Sequence, residues 1–196
     1  MAEYLLGDVL ACLIDHRGKT PRKLGGEFSA NEVPVVSALN VRDGRLEIDP
    51  SRTVSDEIFR RWMPVHLKKG DVVLTSEAPL GRVARIESDA PLVLGQRLFA
   101  LRGKPDVLDS GYLYYLLRTR RMQILLGARA TGTTVLGIRQ AELVRLPIDL
   151  PTVFTQRSLA DVLGVWDAKI GLHRSPNQRM RPWASAVSSD ADTAEA

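Results

Sequence analysis

Apolar and polar positions repeat with two different periods along this 196-residue chain. Near the start, Leu6, Val9, Leu10 and Leu13 recur at three- and four-residue spacing, which predicts a helix over residues 3–14. Cys12 falls inside that pattern and reads as a small buried residue. Val33 to Val41 is strand-like, and Pro34 marks an edge or a strand start. Arg42-Asp43-Gly44-Arg45 is a hairpin signal, because Asp-Gly suits the positive φ of a type I′ turn. Leu46 to Ile48 forms the return. Ser55 is placed to cap a short helix whose first turn holds Asp56 and Glu57, where carboxylates complement the helix dipole. Phe59 and Trp62 face inward on that helix, and Arg60 and Arg61 face out.

Residues 69–86 then read turn, strand, polar loop, strand. Gly70 and Asp71 turn the chain into the apolar run Val72 to Leu74, Pro79 and Gly81 punctuate the loop, and Val83 and Ile86 continue the second strand. The loop presents Thr75, Ser76 and Glu77, and Arg82 and Arg85 follow at once. Leu92 to Leu101 is a strand broken by Gly95-Gln96-Arg97. Asp109 or Ser110 caps a helix running to about Leu126, with Arg118, Arg120 and Arg121 at its solvated end. Its aromatics Tyr112, Tyr114 and Tyr115 have helical spacing, which predicts core packing over a base-stacking platform. A small-residue loop (128–134), a short helix (138–143) and an extended exit (146–151) close the sheet domain. From Val153, Phe154, Leu159, Val162, Leu163, Trp166 and Ile170 form one apolar stripe, so this helix either seeks a partner surface or packs on its own domain. Pro176 and Pro182 end it. The expected fold is α/β (α+β): a twisted mixed or antiparallel sheet with flanking helices over residues 1–150, one amphipathic coiled-coil-type helix over 151–174, and a disordered tail over 175–196.

Composition narrows the function more than the fold. Hydrophobic content of 44% supports a real core and excludes global disorder. The formal charge of +4 is mildly basic, and the acidic tail residues Asp190, Asp192 and Glu195 leave the folded part more basic than the whole. Most of the cations are arginine, which favours bidentate contact with phosphate and guanine. A single cysteine, Cys12, excludes a disulfide framework within one chain. No apolar run reaches membrane-span length and no signal-peptide layout opens the chain, so a cytoplasmic location is expected.

Catalytic signatures are missing. There is no glycine-rich phosphate loop, no Gly-x-Ser-x-Gly elbow and no Asn-Pro-Pro-aromatic run of the kind amino-methyltransferases use. His16, His66 and His173 are scattered without metal-ligand spacing, and His16 reads as a solvated loop residue. The one acid-x-lysine match, Asp167-Ala168-Lys169, lies in the apolar-striped helix without strand context. The chemistry therefore points to a binding protein with no catalytic residue, metal or cofactor of its own.

Several short motifs occur in one order: Leu6-Gly7-Asp8-Val9, Gly18-Lys19-Thr20-Pro21, Val33-Pro34-Val35-Val36, Lys69-Gly70-Asp71-Val72 through Pro79-Leu80-Gly81, Leu94-Gly95-Gln96-Arg97, Ala130-Thr131-Gly132-Thr133-Thr134, Leu146-Pro147-Ile148-Asp149-Leu150-Pro151, and Gln156-Arg157-Ser158-Leu159 with Trp166-Asp167-Ala168-Lys169-Ile170. This series resembles one half of a type I restriction–modification specificity subunit: one target recognition domain and the start of one spacer helix. The resemblance implies loops that read double-stranded DNA, and a helix that pairs with a second helix and docks methylation subunits. The resemblance also implies that S-adenosylmethionine, ATP and Mg would belong to the methylation and restriction subunits. Family members carry two recognition domains and two helices, so this chain implies a homodimer or a second half-subunit. An inactive remnant, or an interaction fragment that binds methylation subunits without reading DNA, stays open beside it.

Base readout falls to Ser76, Glu77, Arg82, Gln96 and Arg97, since glutamine suits adenine, arginine suits guanine and a carboxylate accepts from cytosine. Gln96 has an alternative as a buried amide fixing the sheet. Phosphate contacts fall to Lys19, Arg22, Lys23 and Arg42 in loops and turns, with Thr133 and Thr134 as donors from theirs. Leu159, Val162, Leu163, Trp166 and Ile170 form the partner-helix face.

Overall fold

The computed structural model describes residues 2–29, 32–42 and 44–170. In chain order its elements are β1 (Ala2–Leu5), β2 (Leu10–Asp15), β3 (Val33–Val36), β4 (Val41–Arg42), β5 (Arg45–Leu46), β6 (Thr53–Val54), α1 (Asp56–Trp62), β7 (Val72–Thr75), β8 (Val83–Arg85), β9 (Val93–Leu94), β10 (Leu98–Gly103), α2 (Ser110–Arg118), α3 (Arg120–Ala128), α4 (Gln140–Leu143), β11 (Pro147–Leu150) and α5 (153–170). Asp43 of the expected hairpin, residues 171–174 of the expected helix, and the expected disordered tail lie outside the described residues.

β7 is apolar on both faces, and the architecture follows from that. It lies inside an antiparallel sheet of order β2-β10-β7-β8. Val72 and Leu74 point to one side with Phe99, Leu101 and Val83, where Leu113, Leu117, Met122 and Leu126 of α2 and α3 cover them. Val73 points to the other side with Leu98, Ala100 and Ala84, under Val35, Val36, Val54, Phe59 and Trp62. A strand buried on both faces needs a continuous apolar run, and Val-Val-Leu supplies it. The second layer is the mixed sheet β6-β3-β9 with α1. β1 and β11 pair antiparallel, and β4 and β5 form the expected hairpin with Arg42 opposite Arg45. Gly44 has φ +84, and a Cβ there would fall 2.3 Å from the Tyr114 hydroxyl, so only glycine fits this turn against α2. Ser55 caps α1 as expected, accepting from the Ile58 amide at 3.4 Å.

Two sequence expectations are corrected. Residues 3–14 are not a helix but β1, a one-turn 3-10 segment (Leu6–Val9) and β2. Leu6 and Val9 are buried in the 3-10 turn, while Leu10 to Asp15 pairs with β10, placing Cys12 half-buried opposite Arg102. The spacing fits a helix, but strand partners distant in sequence satisfy this backbone instead. The helix expected to run to Leu126 is also two helices. Thr119 takes an extended conformation (ψ 148), ends α2 and caps α3 by accepting from the Met122 amide at 3.3 Å. Asp109 caps α2.

One polar contact holds the centre in register. Asp71, at the entry to β7, is buried; its carboxylate accepts from Arg102 Nε at 2.6 Å and Nη2 at 2.7 Å, and from the Lys68 amide at 2.8 Å. This bidentate pair holds the Arg102 guanidinium even more firmly protonated than usual. The chain divides into two units at residues 157 and 158. In the first, Gln156 is fully buried: its amide oxygen accepts from the Asp109 amide at 2.9 Å, and its nitrogen donates to Val107 O at 3.0 Å and Pro151 O at 2.9 Å. In the second, Leu159, Val162, Leu163, Trp166 and Ile170 are exposed.

Removing one partner of the Asp71–Arg102 pair strands the other. Arg102→Met is expected to cost about 3–5 kcal/mol in urea unfolding, and Asp71→Asn added to it is expected to cost less than the sum of the two single changes. Additive losses would show that the pair does not act as a unit.

Candidate nucleic-acid interface

The carboxyl end of β7 delivers the chain into a group of loops. Thr75 and Ser76 reach that point buried, at 0% and 1% exposure. The Thr75 hydroxyl is consumed locally: it donates to Pro79 O at 2.5 Å and accepts from the Arg82 amide at 2.8 Å. Ser76 Oγ is buried without a hydrogen-bond partner. The loop therefore does not present its hydroxyls to solvent, contrary to the sequence expectation. Thr75 closes the 75–82 turn from inside, and Ser76 stands behind the surface it was expected to form. Glu77 is the first of the three side chains to emerge.

Glu77 sits among three other loop segments. Its Oε1 lies 3.2 Å from Arg97 Nε, and the Ser76 amide donates to Arg97 O at 2.9 Å, so the 95–97 turn is fastened to the end of β7. On the other side, the Ile138 amide donates to Ser76 O at 2.9 Å and Glu77 bridges to Gly137. Thr131 and Gly137 exchange two backbone bonds of 2.9 and 3.0 Å, which closes the loop carrying Thr133 and Thr134, both exposed. Gly132 makes that closure feasible: it has φ +124, and a Cβ would fall 2.1 Å from Val135 O. Arg17 ties in the 15–24 segment, donating to Ile138 O at 3.2 Å while its guanidinium pairs with Asp15 at 2.7 Å.

Gln96 is exposed, so the buried-amide alternative does not describe it; the Gly95 amide, donating to Val36 O at 2.8 Å, joins this turn to β3. Gln96, Arg97 and Lys19 border one cavity of roughly 230 Å³, together with Arg52, Phe28 and Trp62. Arg22 and Lys23 follow Pro21, also on its wall, in an exposed 3-10 turn. Leu39 also lines the cavity, and Arg42 Nε donates to Leu39 O at 3.4 Å. Arg82 reaches the same hairpin, with Nη1 donating to Val41 O at 3.2 Å. The structure thus brings Glu77, Gln96, Arg97, Lys19, Arg22 and Lys23 together, and Arg42 and Arg82 as a neighbouring pair. Ser76 alone is withdrawn into the interior.

Cations outnumber free carboxylates along this edge, where Glu27 is the exposed acid beside Phe28. Glu77 is committed to Arg97, Asp15 to Arg17, and Glu47 to Arg42 at 3.4 Å. Lys19, Arg22, Lys23, Arg52 and Arg82 have no ion-pair partner among the described residues. Unneutralised cations on adjacent loops attract a polyanion. Arg52 and Phe28 were not among the sequence candidates. Their segments carry no motif, and only the tertiary fold sets the Arg52 guanidinium 4.8 Å from the Phe28 ring. Gln156 had one usable signal, a polar residue on the line that Leu159 and Leu163 continue.

A family model for the type I restriction modification DNA specificity domain matches residues 1–180. The chain is 33% identical over 167 residues to the type I restriction enzyme MjaIX specificity subunit of Methanocaldococcus jannaschii, a match covering 82% of this chain and 37% of that protein. It is 26% identical over 159 residues to the MjaVIII specificity subunit of the same organism, covering 79% and 37%. It therefore spans well under half the length of these relatives. The fold is similar to the S subunit of a type I restriction–modification system from M. genitalium (TM-score 0.60, 19% identity, 98% of this chain and 46% of that one). It is also similar to the HsdS subunit from Thermoanaerobacter tengcongensis (TM-score 0.55, 20% identity, 92% and 39%).

His16, expected to be solvated, is half-buried beside this edge, and its Nε2 is enclosed without a partner. Burial, and then the charge of Lys19, lower its pKa below 6.5, with Asp15 opposing. A depressed histidine favours the fold above its unfolded value, and that contribution is lost as pH falls through the folded value. Stability should therefore decline as pH drops below 6.5, and His16→Gln should flatten that part of the profile in urea unfolding across pH. An unchanged profile would show that burial of His16 is not felt.

Proposed function

We propose that this chain, which belongs to the type I restriction–modification DNA specificity domain family, is a non-catalytic reader of half of a split DNA target and docks methylation subunits through its C-terminal helix. The observation that carries the reading is the edge itself: Lys19, Gln96 and Arg97 around one cavity, with Glu77 and the Thr133–Thr134 loop fastened beside them. Cations on loops position the backbone of a duplex, and the side chains between them supply donors and one acceptor for base edges. The scaffold suits reading, since the sheet fixes the roots of these loops while their tips differ in chemistry.

One recognition domain reads one half-site, so a complete split target needs a second recognition domain. A homodimer through α5 would read a two-fold symmetric target. The exposed stripe of Leu159, Val162, Leu163, Trp166 and Ile170 supports helix pairing. That same stripe favours a second reading, in which the chain occupies methylation subunits without reading DNA.

Three measurements separate these readings. With the methylation subunits added, sequencing of methylated bases should return a defined motif, and Gln96→Ala or Arg97→Ala should relax it at single positions, each by about 1–3 kcal/mol of discrimination. Lys19→Gln should weaken binding to all sequences alike and reduce the salt slope by about 1. Trp166→Glu should lower self-association in sedimentation while leaving the recognition domain folded. Complex formation with the subunits but no salt-dependent DNA binding would favour the interaction-fragment reading.

A further inference from the structure

We propose that the cavity between the 18–28 segment and the 95–97 turn is a nucleotide site, taking one base stacked at its mouth with the attached phosphate inside. The proposal rests on the DNA-reading interpretation only where that nucleotide belongs to DNA.

The lining is selective. Lys19, Arg52 and Arg97 all border it, Arg97 with its Nε already 3.2 Å from Glu77, and among the described residues no carboxylate lines it. Lys19 Nζ spends one bond on Trp62 O at 2.9 Å and keeps its other donors. The indole Nε1 of Trp62, a residue of the same wall, is a buried donor without an acceptor. Such a set answers a ligand rich in acceptors and negative charge.

The same cavity has a planar, apolar side. The Arg52 guanidinium lies over the Phe28 ring at 4.8 Å, and both residues are exposed. A guanidinium stacked on an aromatic ring is a flat surface on which a base gains stacking and cation–π energy whatever its identity. At roughly 230 Å³ the space is many times that of a water molecule, yet smaller than the pockets of drug-sized ligands. A bare phosphate would leave the aromatic side unused, and an uncharged base would leave the cations unused. A nucleotide uses both.

The test titrates the full-length chain calorimetrically with adenosine and guanosine monophosphates, with inorganic phosphate alongside. In parallel, duplexes carrying 2-aminopurine report whether a base leaves the stack on binding. Arg52→Gln and Phe28→Leu, with folding checked by circular dichroism, should each weaken mononucleotide binding about ten-fold; Arg60→Gln, exposed on α1, should not. Mononucleotide binding with a rise in 2-aminopurine fluorescence identifies an unstacked nucleotide of DNA as the ligand. Mononucleotide binding without that rise identifies a free nucleotide. Phosphate binding as tightly as the mononucleotides, variants that bind as well as the parent, or no mononucleotide binding together with dark 2-aminopurine in bound DNA would each overturn the proposal. Anisotropy of the same duplexes reports DNA affinity separately, so a failure of the cavity and a failure of DNA reading give different results.

Discussion

The ion pair between Asp71 and Arg102 ties the entry of β7 to its neighbour β10, and the loops of the basic edge grow from the far end of these strands. With the Asp71 side chain 3% exposed and that of Arg102 24% exposed, the pair carries a desolvation cost that two apolar side chains would avoid. β7 is apolar on both sides, and its two faces meet different cores: Val72 and Leu74 under α2 and α3, Val73 under α1 and the second sheet. A one-residue slip would exchange those faces between cores of different shape. Hydrophobic burial alone discriminates weakly between two apolar faces. Two short charge-assisted bonds and the Lys68 amide, all converging on one carboxylate, set which register forms.

From that register the binding edge follows by backbone bonding. Ser76 carries the Arg97 turn on its amide and the Ile138 loop on its carbonyl, one on each side. The Ser76 side chain lies in the interior at 1% exposure, and Glu77 is the residue that emerges. Arg97, at φ 64, is held in a left-handed conformation that non-glycine residues seldom adopt, so the turn spends conformational energy to aim this side chain. The edge is in this sense built by the sheet, with side-chain chemistry added at its rim.

The start of α5 is fixed in a similar way. Gln156 satisfies one amide and two carbonyls around the α2 cap, while the apolar residues beyond it are exposed. Within the first unit, that side chain binds the opening turn of α5 to the segment that starts α2. An apolar residue at position 156 would leave the Asp109 amide and the two carbonyls without these partners.

Much of the architecture was legible because it depends on local rules. The Gly70-Asp71 turn, the apolar run after it, the Ser55 and Asp109 caps, the Asp-Gly hairpin and the stripe from Leu159 to Ile170 are each written in a few adjacent residues. The ordered motifs carried the family. What local spacing could not show was partner choice. Leu6, Val9, Leu10 and Leu13 have helical spacing, but β10 and β11 offered pairing that made strands of the flanking residues. Thr119 broke a helix that periodicity alone would continue. The burial of Thr75 and Ser76, the exposure of Gln96 and the meeting of Lys19, Arg52 and Arg97 around one cavity were decided only by the tertiary structure. Periodicity states whether a residue is apolar-facing within its own element, whereas a binding site depends on which distant loops the sheet brings to the same edge.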